Sequence, residues 1–85
     1  MIYNIYFTKS ALKSLKSLNK IEKNRIFSKI DLLKENPYPN DCKKLKTTNA
    51  LRIRIGSYRV IYDVINEDLI VRIIKIGHRK DVYLN

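Results

Sequence analysis

ALRIRIGSYRVIY, residues 50–62, is the stretch on which the fold turns. Two runs alternate apolar and polar residues, as half-buried strands do, and Gly56-Ser57 between them is a two-residue hairpin turn. Such a turn pairs Ile55 with Tyr58, which sets Arg54 opposite Arg59 and Arg52 opposite Ile61. Like charges facing each other across a strand pair destabilise it. A hairpin that gathers them spends stability on something else.

A third apolar run, LIVRIIKI, follows the polar NED turn and completes a meander. With Asn66-Glu67 as a two-residue turn, or Ile65–Asp68 as a four-residue loop, Asp63 is expected to pair with Ile70 and Ile61 with Arg72. The sheet then has two faces. Leu51, Ile53, Ile55, Tyr58, Val60, Tyr62, Val64, Leu69, Val71 and Ile73 share the apolar one, with Lys75 near its edge. Arg52, Arg54, Arg59, Ile61, Asp63 and Arg72 share the other, with Ile74 and Ile76. A one-residue slip would exchange the faces, so burial constrains the assignment.

Upstream, IYNIYF reads as a first strand with Tyr3, Ile5 and Phe7 on one side. Thr8 is placed to cap a helix with the apolar stripe Ala11, Leu12, Leu15 and Leu18 and the lysines Lys9, Lys13, Lys16 and Lys20 opposite. Asn19, with Glu22 three residues on, starts a second helix, whose buried stripe is Ile26, Phe27, Ile30 and Leu33. The prolines of NPYP stop it near Asn36. DCKKLKTTNA is a basic, irregular connection into the meander. The pattern predicts one α+β domain over residues 1–85, a two-helix hairpin packed on an antiparallel sheet of about four strands.

Composition narrows the partners. The 85 residues carry 18 Lys+Arg against 8 Asp+Glu, a net charge of +10 that attracts polyanions. No apolar run is long enough to span a bilayer, and the N-terminus lacks the pattern of a signal peptide, so a cytoplasmic protein without a membrane partner is expected. Cys42 is the sole cysteine and His78 the sole histidine. That excludes an internal disulfide, and neither a structural zinc site nor any other metal or cofactor is expected.

Residues 43–59 contain Lys43, Lys44, Lys46, Arg52, Arg54 and Arg59 and no acid. With Arg72 on the same face and Asp63 its one carboxylate, the cluster predicts a phosphate-binding concavity, since the planar guanidinium fork suits phosphate oxygens. The chain ends in IGHRKDVYLN. Histidine has a near-neutral reference pKa, which makes His78 a candidate for moving protons. Arg79 and Lys80 add charge, and Tyr83 is placed either to stack on an RNA base or to pack against the sheet edge.

The ordered set of basic alternation before GxYR, the VIY strand, a polar turn and IGHRKDVY resembles the RelE branch of the RelE/ParE toxin superfamily, and ALKSLKSL and the ENP exit extend the likeness over nearly the whole chain. The resemblance implies a RelE-like, microbial-ribonuclease-like fold and the toxin of a type II toxin–antitoxin pair. It further implies a ribosome-dependent endoribonuclease that cuts mRNA in the A site, using the substrate's 2′-hydroxyl without a metal ion. A RelB-like acidic antitoxin, mRNA and the ribosome are the implied partners. The family's basic active-site positions fall on Arg52, Arg54, Arg59 and Arg79, and its C-terminal aromatic on Tyr83. Some relatives carry lysine where this chain has Arg52 and Arg54. Arginine stays protonated and is a poor base, which leaves His78 and Tyr83 for proton transfer. The alternatives are a ParE-like gyrase inhibitor, or an inactive homologue that binds RNA or antitoxin.

Overall fold

The computed structural model describes residues 2–46 and 48–78. Strand β1 spans Asn4–Phe7 and leads through Thr8 into helix α1, Lys9–Ser17; α2 follows at Lys20–Asp31 and tightens into a 3₁₀ turn over Leu32–Lys34. Then come β2 (Lys43–Lys44), β3 (Leu51–Ile55), β4 (Tyr58–Ile65) and β5 (Ile70–His78). The sheet order is β1-β5-β4-β3-β2. Among the described residues no helix is long and apolar enough to cross a membrane.

Both helix starts are fixed by side-chain caps. Thr8 Oγ1 accepts from the Ala11 amide at 3.1 Å, and Asn19 Oδ1 from the Glu22 amide at 2.9 Å. Each satisfies one of the amides that a helix N-terminus leaves without an intrahelical partner. Ala11 and Leu15 of α1 and Ile26 and Ile30 of α2, with Leu33, meet Ile53, Val60, Tyr62, Val71, Ile73 and Ile76 of the sheet in one core. Each fully buried isoleucine there contributes roughly 1.5–3 kcal/mol. Leu12 and Phe27, expected in the helical stripes, are 39% and 50% exposed. The narrow sheet accepts only the line running i, i+4, i+7 along each helix, and both residues fall beside it. The Tyr62 hydroxyl crosses the core to donate to the Pro37 carbonyl at 2.7 Å, tying the proline exit to the sheet centre.

The β3–β4 hairpin has the expected register, with Ile55 opposite Tyr58, Arg54 opposite Arg59 and Arg52 opposite Ile61. Gly56 at the first turn position has φ +59°, the left-handed conformation a primed hairpin turn requires there. Elsewhere the sheet departs from expectation. It is mixed rather than antiparallel, because β1 lies parallel to β5, with Asn4 beside Ile70 and Phe7 beside Ile73. The connection after the prolines contributes the two-residue β2, bringing the sheet to five strands.

The β4–β5 register is displaced by two residues, so that Asp63 faces Arg72 and Ile65 faces Ile70. Asn66–Asp68 form a 3₁₀ turn and Leu69 takes a left-handed φ of 53° to complete the loop. A two-residue displacement leaves each side chain on its expected face.

A β-bulge does not. Tyr62 faces Ile73 but Ile61 faces Lys75, so Ile74 is the additional residue. Beyond it the alternation of β5 is inverted. Ile76, expected on the arginine face, is buried in the main core, and Lys75, expected at the core edge, stands opposite Ile61. Thr8 anchors the bulge: its amide donates to the Ile73 carbonyl at 2.9 Å and its hydroxyl to that of Ile74 at 2.7 Å.

Candidate RNA-binding face

The face of the sheet turned away from the helices carries the charge. Arg54 and Arg59 are cross-strand partners, with Cα atoms about 5 Å apart. Lys43 faces Arg52 across β2–β3, Arg52 faces Ile61, and Ile61 faces Lys75, so a row of residues runs across four strands. Next to Arg59 on the β5 side is Gly77, which brings no side chain of its own to the face.

Two of these arginines are held by the fold rather than free in solvent. Arg52 and Arg59 are partly buried, and the Nε of each is shut off from solvent without a hydrogen-bond partner. A buried donor left unpaired costs about 1–3 kcal/mol, more when charged. Burial lowers the pKa of Arg52, and the charges of Arg54 and Arg59 lower it further. An anion placed here would satisfy the idle donors and relieve the repulsion together.

Beneath the charge lies an apolar floor, of which the sequence pattern placed Ile61 and Ile74 but not Leu45 and Ala50. Ile61 and Ala50 are buried together, with Leu45 and Ile74 against them. The loop after β2 folds back onto the sheet to do this, its Leu45 amide donating to the Ala50 carbonyl at 2.9 Å. Thr48 Oγ1 accepts from the Ala50 amide at 3.1 Å. On the outer side of that loop Lys44, Lys46, Thr48 and Asn49 line a hollow of about 300 Å³.

The remaining expected residues are distributed otherwise. Arg72 lies on the arginine face but its fork is occupied: Nε donates to Asp63 Oδ1 at 3.1 Å and Nη2 to Oδ2. His78, by the inverted alternation, is on the helix side, opposite Tyr58, with the two rings edge to face at 5.7 Å between centroids. It borders a hollow of about 380 Å³ with Ser14, Ser17 and Leu18 of α1. The structure therefore does not set His78 among the arginines; the bulge turns it away. Arg79, Lys80 and Tyr83 lie outside the described residues.

Two cations join the picture from outside the expected set. Arg25 of α2 reaches the hairpin turn, where its Nη2 would lie 3.2 Å from a Cβ added at Gly56. Lys75 arrives through the bulge. Nothing in its local alternation signals this, because the anchor is Thr8, far away in sequence.

Comparison with known proteins gives these side chains a context. Residues 5–83 match the model of the ParE toxin of type II toxin–antitoxin systems. A Methanocaldococcus jannaschii protein named as toxin RelE1 is 38% identical, over 100% of this chain and 99% of its own length. In the crystal structure of the archaeal RelE–RelB complex from Pyrococcus horikoshii, a chain 34% identical superposes with TM-score 0.83, covering 96% of this chain and 100% of that one. The intact Escherichia coli RelBE toxin–antitoxin complex contains a chain 27% identical with TM-score 0.80, covering 89% and 95%.

Proposed function

The chain belongs to the RelE/ParE superfamily, as a RelE-like toxin of the type II toxin–antitoxin class, and from that membership we propose that it is an endoribonuclease that cleaves mRNA in the ribosomal A site. The observation that carries the proposal is the pair of solvent-shielded, unpartnered Nε atoms on Arg52 and Arg59, flanked by Arg54. A surface meant only to be solvated would expose those donors to water or pair them with carboxylates. Idle guanidinium donors are suited to an incoming phosphodiester.

The chemistry asks little more of the protein. The substrate's 2′-oxygen attacks the adjacent phosphorus, and negative charge accumulates on the non-bridging oxygens of a five-coordinate transition state. Guanidinium groups already fixed on the sheet stabilise that charge without reorganising. Arg59 and Arg79 act as the main clamps, with Arg54, the cross-strand partner of Arg59, beside them and Arg52 in support. Lys43, Lys44, Lys46 and Lys80 hold the flanking backbone. The ribosome supplies the in-line alignment of the 2′-oxygen, a positioning effect that accounts for ribosome dependence.

A RelB-like antitoxin is the proposed partner: the structural relatives are toxins bound to RelB, and an acidic chain would neutralise a toxin of net charge +10. Primer extension on ribosome-bound mRNA tests the activity. New 3′ ends within the A-site codon, abolished by Arg59→Ala, are expected. The matched family model is that of the ParE toxin, which supports a second reading, inhibition of DNA gyrase by protein contact. Intact mRNA together with stalled gyrase–DNA complexes would establish that reading instead.

A further inference from the structure

Among the described residues the arginine face gathers positive charge but lacks an evident group to move a proton, and Tyr83 lies outside them. Guanidinium holds its protons throughout the physiological range. Asp63 is engaged with Arg72, and His78 is on the other side of the sheet. Two lysines stand on the face itself, Lys43 and Lys75. Lys43 is on the edge strand beyond Arg52, on the far side from Arg59. Lys75 flanks Ile61 from β5, two residues before Gly77, the cross-strand partner of Arg59. It stands where, among the described residues, β5 has no outer neighbour, since β1 ends at the Ile73 pair, and it also borders the hollow near α1. The side chain is exposed and forms no ion pair among the described residues.

Taking the nuclease reading as its basis, we infer that Lys75 is the general acid of this site, brought to the arginine face by the Ile74 bulge. The 2′-oxygen forms a bond to phosphorus, and the phosphorus–5′-oxygen bond breaks with its electron pair passing to the 5′-oxygen. The Lys75 ammonium gives that oxygen a proton, and the neutral amine recovers one from water. The 2′-hydroxyl proton departs to solvent. The products are a 2′,3′-cyclic phosphate and a 5′-hydroxyl. An ammonium tethered on a flexible stem at the rim suits a leaving group that moves outward, while the fixed guanidiniums retain the phosphoryl oxygens.

The test is single-turnover cleavage of ribosome-bound mRNA by the wild-type protein, Lys75→Met and Lys75→Arg. Two substrates are used: one with the natural linkage and one with sulfur replacing the bridging 5′-oxygen at the cleavage position. A thiolate leaves without protonation. Both variants are expected to cleave the natural linkage about 10²–10⁴-fold more slowly and the sulfur linkage within a few-fold of the wild type. Lys75→Arg retains the charge, so a purely electrostatic role would spare that variant. Wild-type rates on the natural linkage in either variant, or equal slowing on both substrates, would overturn the assignment while leaving the nuclease reading intact. A wild-type protein inert on both substrates would remove the two together.

Discussion

Arg54 faces Arg59 directly across the β3–β4 hairpin, and among the described residues neither forms an ion pair. Two cations at cross-strand distance repel, and the nearest acid on that face, Asp63, is held by Arg72. The hairpin keeps its register because Ile53 and Val60 are fully buried beneath it. Core burial thus offsets an electrostatic cost concentrated at the place where substrate phosphate would bind.

Replacing Arg54 with threonine should therefore stabilise the fold while impairing the toxin. Removing one partner of an opposed like-charge pair is worth about 0.2–1 kcal/mol, and threonine suits a strand. In a domain of this size about 4–8 °C in melting temperature accompanies each kcal/mol. Thermal unfolding of Arg54→Thr should show the gain at low salt and a smaller one at high salt, where the repulsion is screened. A variant less stable than the wild type at low salt would contradict the account.

Thr8 joins two structural events. Its hydroxyl accepts from the Ala11 amide to cap α1 and donates to the Ile74 carbonyl to hold the bulge. Thr8→Val keeps the shape and loses both bonds, at a cost of about 1–2 kcal/mol; Thr8→Ser should recover most of it. Chemical denaturation of the three proteins reads this directly. Equal midpoints for the valine and serine variants would show that the hydroxyl contributes nothing.

The Tyr62 phenol gives the fold an alkaline limit. Burial raises its pKa well above the usual value of 10.0, with Cys42 and Asp41 nearby adding to the shift. The unfolded chain ionises first as pH rises, so the native state binds more protons and loses stability above about pH 10. Below that pH the contribution is fully present. Tyr62→Phe should start less stable at neutral pH by about 1 kcal/mol, through loss of the bond to the Pro37 carbonyl. It should then decline less steeply than the wild type above pH 10. Parallel declines in a pH series of unfolding curves would remove Tyr62 as the cause.

The hairpin was legible in the sequence because its determinants are local: a two-residue turn, strict alternation and one buried face fix Arg54 against Arg59. The helix caps at Thr8 and Asn19 were legible for the same reason. What escaped depends on distant partners. The Ile74 bulge exists where Thr8 meets β5, and no periodicity within LIVRIIKI announces it, yet it decides that Lys75 joins the arginine face and His78 leaves it. The fold of Leu45 and Ala50 onto Ile61 escaped likewise, because the connection reads as polar and basic. The left-handed Leu69 set the β4–β5 register against its residue type, since leucine rarely adopts that conformation.

Arg72 offers the sharpest comparison within the cationic face, since it shares the sheet surface with Arg59 but spends its fork on Asp63. Binding of single-stranded RNA releases counterions, and the slope of log affinity against log salt falls by about 0.7 for each phosphate that the protein ceases to neutralise. Arg52→Ala, Arg54→Ala and Arg59→Ala should each reduce the slope by about that amount, whereas Arg72→Ala should leave it unchanged. Asp63→Asn frees the Arg72 guanidinium and removes a negative charge, so it should steepen the slope and tighten binding at low salt. Titration of a labelled RNA over a range of salt concentrations measures all five variants against the wild type. If Arg72→Ala lowered the slope as much as Arg59→Ala, the carboxylate would not be withholding Arg72 from phosphate, and the division of the face into occupied and idle guanidiniums would fail.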